Sequence, residues 1–417
     1  MRYSKCILYE EVIKMATFTF DMYLTLGLAI VLYLLGSGIK AKVGLLQKYY
    51  IPAPVIGGTL FSIIMLIGHN MGLFTFTFDG NLKNFFMVVF FTTIGFLASI
   101  SALKKGGIGV ILFLIAAVIL VIIQDGVGVA LAKVFGLNPG IGLAAGSIPL
   151  TGGHGTSGAF GPYLEERGVN GATVVAIAAA TYGLVAGCVI GGPIAKRLKD
   201  KYNLVCKEGD AQKAGQEQAE KEETLAQKAA MSEKSFFKAA AMIGIAMGVG
   251  GLITPLIKKA GLSLPAYLIP MLIAAIMRNI VDKTENKTPI DEIGIIGSVC
   301  LSFFLAIALM SMKLWELADL AIPLIVILLV QTVVMGLFAY FVTFNIMGRD
   351  YDAAVISTGH CGFGMGATPN AIANMEAFTS VNGFSTKAFL AVPLVGSLFI
   401  DFINAIVIQT FTSVFVG

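Results

Sequence analysis

Ser147-Ile148-Pro149-Leu150-Thr151-Gly152-Gly153-His154-Gly155-Thr156-Ser157-Gly158 is a stretch that cannot run as one regular helix, yet long apolar segments flank it on both sides. A second stretch of the same character stands in the other half of the chain: Thr358-Gly359-His360-Cys361-Gly362-Phe363-Gly364-Met365-Gly366-Ala367-Thr368-Pro369-Asn370. Irregular backbone is tolerated at membrane depth only where protein buries it or where it lines a polar cavity, because hydrocarbon satisfies no free N–H or C=O group. Glycine and proline at such places therefore point to a binding cavity. Close helix packing through small residues is the competing explanation for either stretch alone; their equivalent positions in the two halves weaken it.

That the surroundings are membrane follows from composition. Hydrophobic residues make up 57% of the 417, charged residues only 13%, and the mean hydropathy is +0.85, far from the usual make-up of soluble domains. Spans of about 20 apolar residues, the length that crosses a bilayer core, are expected at about 20–39, 54–74, 84–103, 107–134, 172–194, 236–257, 265–281, 290–312, 317–344 and 388–415. The expected fold is thus an all-α polytopic membrane protein. Residues 1–19 form an N-terminal extension, whose first fourteen residues suggest an extended start site before Met15, and 196–235 a polar linker. The net charge of +4 reflects topology and gives no reason to expect a nucleic-acid partner. Five scattered cysteines without CxxC spacing indicate neither a zinc site nor a disulfide framework.

Working outward from the broken stretches, each half shows one plan: three spans, a long fourth span with an internal Gln, a broken segment and a closing span. Short matches keep a nearly constant offset, from 213 at Pro52 and Pro265, through Ser99 and Ser311 and Gln124 and Gln331, to 206 at Gly153-His154 and Gly359-His360. Five spans per half is odd, so the second copy enters the membrane upside down. Two inverted repeats of five helices are expected, 20–195 and 236–417, each with a reentrant hairpin, at about 140–168 and 353–378. Such paired interruptions are the sequence mark of a secondary transporter and its site. Cytoplasmic loops carry the excess of Lys and Arg, which places the linker with Lys196, Arg197, Lys199 and Lys201 inside and both termini outside. The first hairpin then enters from outside and returns Glu165, Glu166 and Arg167 to that surface; the second enters from the cytoplasm.

The chemistry follows from the hairpins. Thr368 before Pro369 reads as an N-cap, which aims a helix N-terminus at the membrane centre. Free N–H groups and the positive helix end favour a carboxylate there. Gly153, His154, Gly155, Thr156 and Ser157, with Gly362, Phe363, Gly364, Thr368 and Asn370, are the candidate residues for an anionic solute. His154 and His360 are open to two readings, core histidines or donors to the solute. Asp125 and Asp401 lie inside spans, where an unpaired carboxylate costs several kcal/mol, roughly 3 or more. Asp401 and Asn404 are about one turn apart and either ligate sodium, face a solute ammonium or hold helices together; Thr151 and Thr358 complete the candidate sodium set. Gln124 and Gln331 read as residues that stitch helices, and Trp315 as an interfacial anchor. An enzyme built on His360 and Cys361 lacks a general base or metal constellation. A channel lacks the charged rings of a filter.

The runs Gly152-Gly153-His154-Gly155-Thr156 and Cys361-Gly362-Phe363-Gly364-Met365-Gly366-Ala367-Thr368-Pro369, with Ala371-Ile372-Ala373-Asn374-Met375 after them, resemble the bacterial sodium/glutamate symporter family over nearly the whole chain. The resemblance implies sodium-coupled uptake of L-glutamate through the inner membrane, reentrant loops that meet at the solute, and no cofactor beyond the coupling ion. It also implies a homodimer in the lipid bilayer whose protomers work by an elevator-like form of alternating access, as in the related citrate carriers. No arginine lies deep in a span, which counts against a citrate-like trianion. A sodium/proton exchanger and a sodium-coupled carrier of another small carboxylate remain as alternatives.

Overall fold

A computed structural model describes residues 16–49, 51–105, 107–206, 232–259, 264–284, 288–315 and 320–417. Most of the expected linker and the first fifteen residues lie outside the described residues. The first half contains α1 (Met22–Lys42), α2 (Gly44–Lys48), α3 (Ala53–Asn70), α4 (Gly80–Leu97), α5 (Ile100–Lys105), α6 (Gly107–Val134), α7 (Pro139–Ala144), α8 (Ser147–Leu150), α9 (Gly153–Glu165) and α10 (Ala172–Tyr202). The second contains α11 (Glu233–Lys259), α12 (Leu268–Val281), α13 (Ile290–Met310), α14 (Ala321–Ile346), α15 (Tyr351–Gly364), α16 (Thr368–Asn382) and α17 (Thr386–Phe415). Helix α14 carries a π-helical turn at Ala339–Thr343 and α17 another at Val395–Phe399.

Many helix starts are written locally. The side chains of Asp21, Asp79, Asp350 and Ser385 accept from the backbone N–H groups of Leu24, Leu82, Ala353 and Ala388 at 2.7–3.2 Å, each satisfying a donor that the first turn leaves free. Asn138 does the same for α7, with Pro139 in its first turn.

Nine helices among the described residues are long and apolar enough to cross a membrane. The expected span at 265–281 differs: α12 has 14 helical residues, roughly 21 Å at 1.5 Å per residue. The expected span at 84–103 ends at Leu97 and restarts as α5, and α10 runs on through the basic cluster to Tyr202, so the segment from 196 begins as helix. The all-α expectation needs one correction. Ala16–Thr19 and Phe74–Thr77 pair as short parallel strands, β1 and β2. Alternating Thr and Phe suit a pleated ribbon, and Phe76 gathers the rings of Phe18, Phe20, Phe61, Phe74 and Phe78 around it.

The helices pack as two bodies, and each body draws on both halves of the chain. Helices α1, α3, α4, α11, α12 and α13 form the first, here called the frame. Backbones approach closely in it: a Cβ added to Gly57 would lie 1.8 Å from the Leu32 carbonyl oxygen, and one at Gly95 would lie 2.1 Å from that of Met271. Helices α6–α10 and α14–α17 form the second. Helix α9 lies against α13, and α4 against α17, where the bodies meet. Part of this seam is apolar: Phe160 of α9 meets Tyr267 edge-on, and Tyr267 stacks on Phe91 with centroids 4.1 Å apart.

Candidate functional site

Both broken stretches resolve into helices separated by short interruptions in the second body. The first breaks at Ala145-Gly146 and again at Thr151-Gly152; the second breaks only at Met365-Gly366-Ala367. Less backbone is unwound than the glycine content suggests, because Gly359, Gly362 and Gly364 are helical and serve close packing. A Cβ on Gly362 would lie 2.5 Å from the Ala371 backbone of the next helix. The match of Gly153-His154 with Gly359-His360 therefore does not mark equivalent places: His154 follows its break, and His360 precedes its own.

The two breaks are brought together through α6. Gln124 Nε2 donates to the Gly364 carbonyl at 2.7 Å, and Thr151 Oγ1 donates to Gln124 Oε1 at 2.8 Å. Gln331 Nε2 in turn donates to the Gln124 carbonyl at 2.7 Å, so the two matched glutamines touch directly. Gly153 has φ +62°, and a Cβ added there would lie 3.4 Å from the Gly366 carbonyl oxygen. Gly153→Ala is accordingly expected to cost about 1–2 kcal/mol, the strain of an L side chain in the left-handed region, and to push one break from the other. A lower thermal unfolding midpoint together with weaker solute binding would register both effects.

One residue beyond Gln124 lies the second cluster. Asp125 Oδ1 accepts from the Ser147 N–H at 2.8 Å and so caps α8, whose own preceding residue, Gly146, has no side chain to do it. Ser147 Oγ donates to Asn404 Oδ1 at 2.8 Å, and Asn404 Nδ2 donates to the Ser147 carbonyl at 3.2 Å. Asp125, Ser147 and Asn404 are fully buried, and Asp125 Oδ2 has no hydrogen bond. A buried carboxylate oxygen without a donor, beside neutral hydroxyl, amide and carbonyl oxygens, is a donor set for a hard cation such as sodium.

The remaining candidates divide. His154 Nε2 is 3.0 Å from Thr181 Oγ1, and His360 Nδ1 is 2.8 Å from Thr343 Oγ1 in the α14 π-turn. The His360 ring stacks on Phe363 and meets Phe113 edge-on, which places Phe363 in an aromatic cluster. Thr156 is buried beside Gly152, Gly155 packs toward Phe90 and Leu301 of the frame, and Ser157 Oγ is taken up by the Gly153 and Ala176 carbonyls. Asn370 Nδ2 donates to the Leu184 carbonyl, leaving a buried Oδ1 without a partner.

One expectation is corrected, and two of the sodium candidates make no hydrogen bond to the Asp125 cluster. Thr368 does not cap α16: Ala367 stands at that position without a side-chain bond, and Thr368 is the first helical residue, its hydroxyl 3.0 Å from where a Cβ on Gly396 would sit. Asp401 makes no hydrogen bond to the Ser147–Asn404 pair, although three helical residues leave only about 60° between its direction and that of Asn404 and the two share a face of α17. The Thr358 carbonyl accepts from Asn374 Nδ2 at 3.2 Å, and its buried hydroxyl, packed toward Gly191, has no hydrogen bond. Ser147 was missed because nothing in a lone serine before Ile148-Pro149 announces that it bridges two spans. A second missed signal is Gly183, where a Cβ would lie 2.0 Å from the Met365 carbonyl oxygen, so α10 backs directly onto the second break.

A bundle of apolar membrane-length helices, with two helix interruptions clasped over a buried, incompletely bonded carboxylate, defines a multi-pass membrane carrier of small ions and solutes. The chain belongs to the sodium/glutamate symporter family: the family model of that description matches residues 18–384. It is 42% identical over 399 residues to the sodium/glutamate symporter of Haemophilus influenzae, covering 94% of this chain and 97% of that one. The sodium/glutamate symporter of Escherichia coli is 41% identical over 396 residues, covering 94% and 98%.

Proposed function

We infer that this chain is a sodium-coupled symporter of L-glutamate in the bacterial inner membrane. The observation that carries the mechanism is the adjacency of the two clusters on α6: Gln124 holds both breaks, and Asp125, the next residue, presents the free Oδ2 beside Ser147 and Asn404. Sodium at Asp125 would supply the charge that the buried carboxylate lacks and fix α8 and α17 in place. Glutamate would lie at the breaks, from Gly153 to Ser157 and from Gly362 to Asn370, with Asn370 Oδ1 facing its ammonium. Ordering by sodium at one residue then reaches the solute through its neighbour, which makes the two cargoes bind cooperatively.

The repeated order of elements in the two halves supports an inverted repeat, with the broken segments as reentrant hairpins from opposite faces and both termini outside. Alternating access then takes the form of the second body sliding along the frame in an elevator-like motion. Support comes from the seam, where Gly155 and Gly158 of α9 present a smooth face to Phe90, Leu301 and Phe304. The frame is the part that pairs in a homodimer. Uptake of labelled glutamate into proteoliposomes is expected to require an inward sodium gradient. Equal uptake in its absence would end the coupled reading, and proton movement driven by sodium alone would replace it with exchange.

A further inference from the structure

A cavity of about 290 Å³ opens where α9 ends, between the two bodies. Its wall includes Lys83 of α4, Tyr267 just before α12, and Gly158, Tyr163, Glu166 and Arg167 at the end of the first broken segment. We propose that this cavity is a capture site for an acidic amino acid, separate from the site at the helix breaks, in which Lys83 and Arg167 receive the two carboxylates and Glu166 the ammonium. The proposal rests on the symport reading for its cargo and on the cavity alone for its place.

Four observations carry it. Two cations and one carboxylate on one wall are the complement of two carboxylates and one ammonium. Lys83 is partly buried and makes no hydrogen bond among the described residues, while its charge interacts with the carboxylates of Glu165 and Glu166. Glu165, in a second cavity of about 90 Å³, also accepts from the Thr173 N–H at 2.9 Å, so Glu166 is the carboxylate that Lys83 and a bound solute share. The Tyr267 hydroxyl is fully buried without a hydrogen bond, an unused donor at the cavity wall. Arg167 lies over the Tyr163 ring at 3.7 Å and its Nη1 donates to the Tyr163 carbonyl at 3.3 Å, which together fix the guanidinium plane; a fixed guanidinium suits carboxylate recognition through its other donors. The volume is near the lower end for small-molecule sites, about 300 Å³, which is room for a single amino acid.

The cavity also has a route onward. Gly158 on its wall and Gly155 one turn earlier share a face of α9 that leads to the break at Gly152. Phe304 covers Gly158, and Phe90 and Leu301 cover Gly155. Displacement of the second body along the frame uncovers this face, and a captured solute then has a short path to the inner site. A cationic mouth also raises the local concentration of an anion before any sodium binds.

The test uses the full-length protein in nanodiscs in sodium-free choline buffer, with L-glutamate observed by saturation-transfer NMR. Wild type is expected to give a transfer signal with millimolar affinity, weaker for L-glutamine, which lacks the second carboxylate. Lys83→Met and Arg167→Met are each expected to weaken that binding at least tenfold, and Lys83→Arg to restore it. In sodium-driven uptake the loss falls on KM, about tenfold, rather than on the maximal rate, and the salt dependence of KM flattens. Tyr267→Phe, which removes only the hydroxyl, gives a smaller loss in the same direction and serves should a charge variant fail to fold. A wild-type protein without sodium-free signal, or a signal unchanged in all three variants, overturns the capture site. Absence of sodium-driven glutamate uptake by wild type overturns the symport reading instead, whatever the sodium-free signal shows.

Discussion

Asp125→Asn is expected to reduce sodium-driven glutamate uptake at least a hundredfold and to abolish its dependence on sodium concentration. The substitution keeps an oxygen at Oδ1 to accept from the Ser147 N–H, so the cap of α8 and the bonds from Ser147 to Asn404 survive. What it removes is the negative charge at the buried Oδ2, which has no donor in the folded chain. A neutral amide in its place offers sodium one fewer charge in a low-dielectric site, where charge is worth several kcal/mol, about 3 or more, and a hundredfold is about 2.7 kcal/mol. The check is uptake against sodium concentration in proteoliposomes containing equal amounts of folded protein. A variant with wild-type sodium dependence would remove Asp125 from the ion site.

Gln124→Met addresses the neighbouring residue and should act differently. The side chain is similar in length, so packing is largely kept, but Thr151 Oγ1 and the Gly364 carbonyl both lose their bond to Gln124 and keep only the 3.5 Å contact with each other. Each buried group left unsatisfied costs about 1–3 kcal/mol. Because the two groups can still bond to each other, the expected result is a fall in stability of about 1–3 kcal/mol, with glutamate affinity reduced about tenfold as the geometry of the breaks loosens. Sodium binding measured without glutamate should be nearly intact. Stability and affinity unchanged together would mean that the breaks hold each other without α6.

The broad architecture was legible because bilayer length and low charge leave little freedom: nine of the ten expected spans correspond to long apolar helices. The exception, α12, has an apolar run interrupted early by Pro270 and ended by Arg278 and Asp282, which bond to one another at 2.9 Å. The strand pair escaped notice because four residues of Thr and Phe beside a span read equally well as its continuation. Glycine marked both breaks but overstated their extent, since glycine serves an irregular turn at Gly153 and close contact at Gly362 with the same letter. Asp125 and Asn404 are legible as polar residues in apolar spans; that Ser147 joins them depends on contacts such as its bonds to Asn404, 257 residues away. No local pattern encodes those.

Because each packed body interleaves segments from both halves, order of synthesis becomes a constraint. Gln124 emerges from the ribosome 240 residues before the carbonyl it will hold, and Ser147 emerges 257 residues before Asn404. Helices α6 to α10 therefore reside in the bilayer with the Gln124 amide N–H and the Ser147 hydroxyl still without their distant partners while the frame's second set of helices is being inserted. A nascent chain that ends between α13 and α14 would carry a complete frame but lack the partners of Gln124 and Ser147, so its second body would be only half bonded.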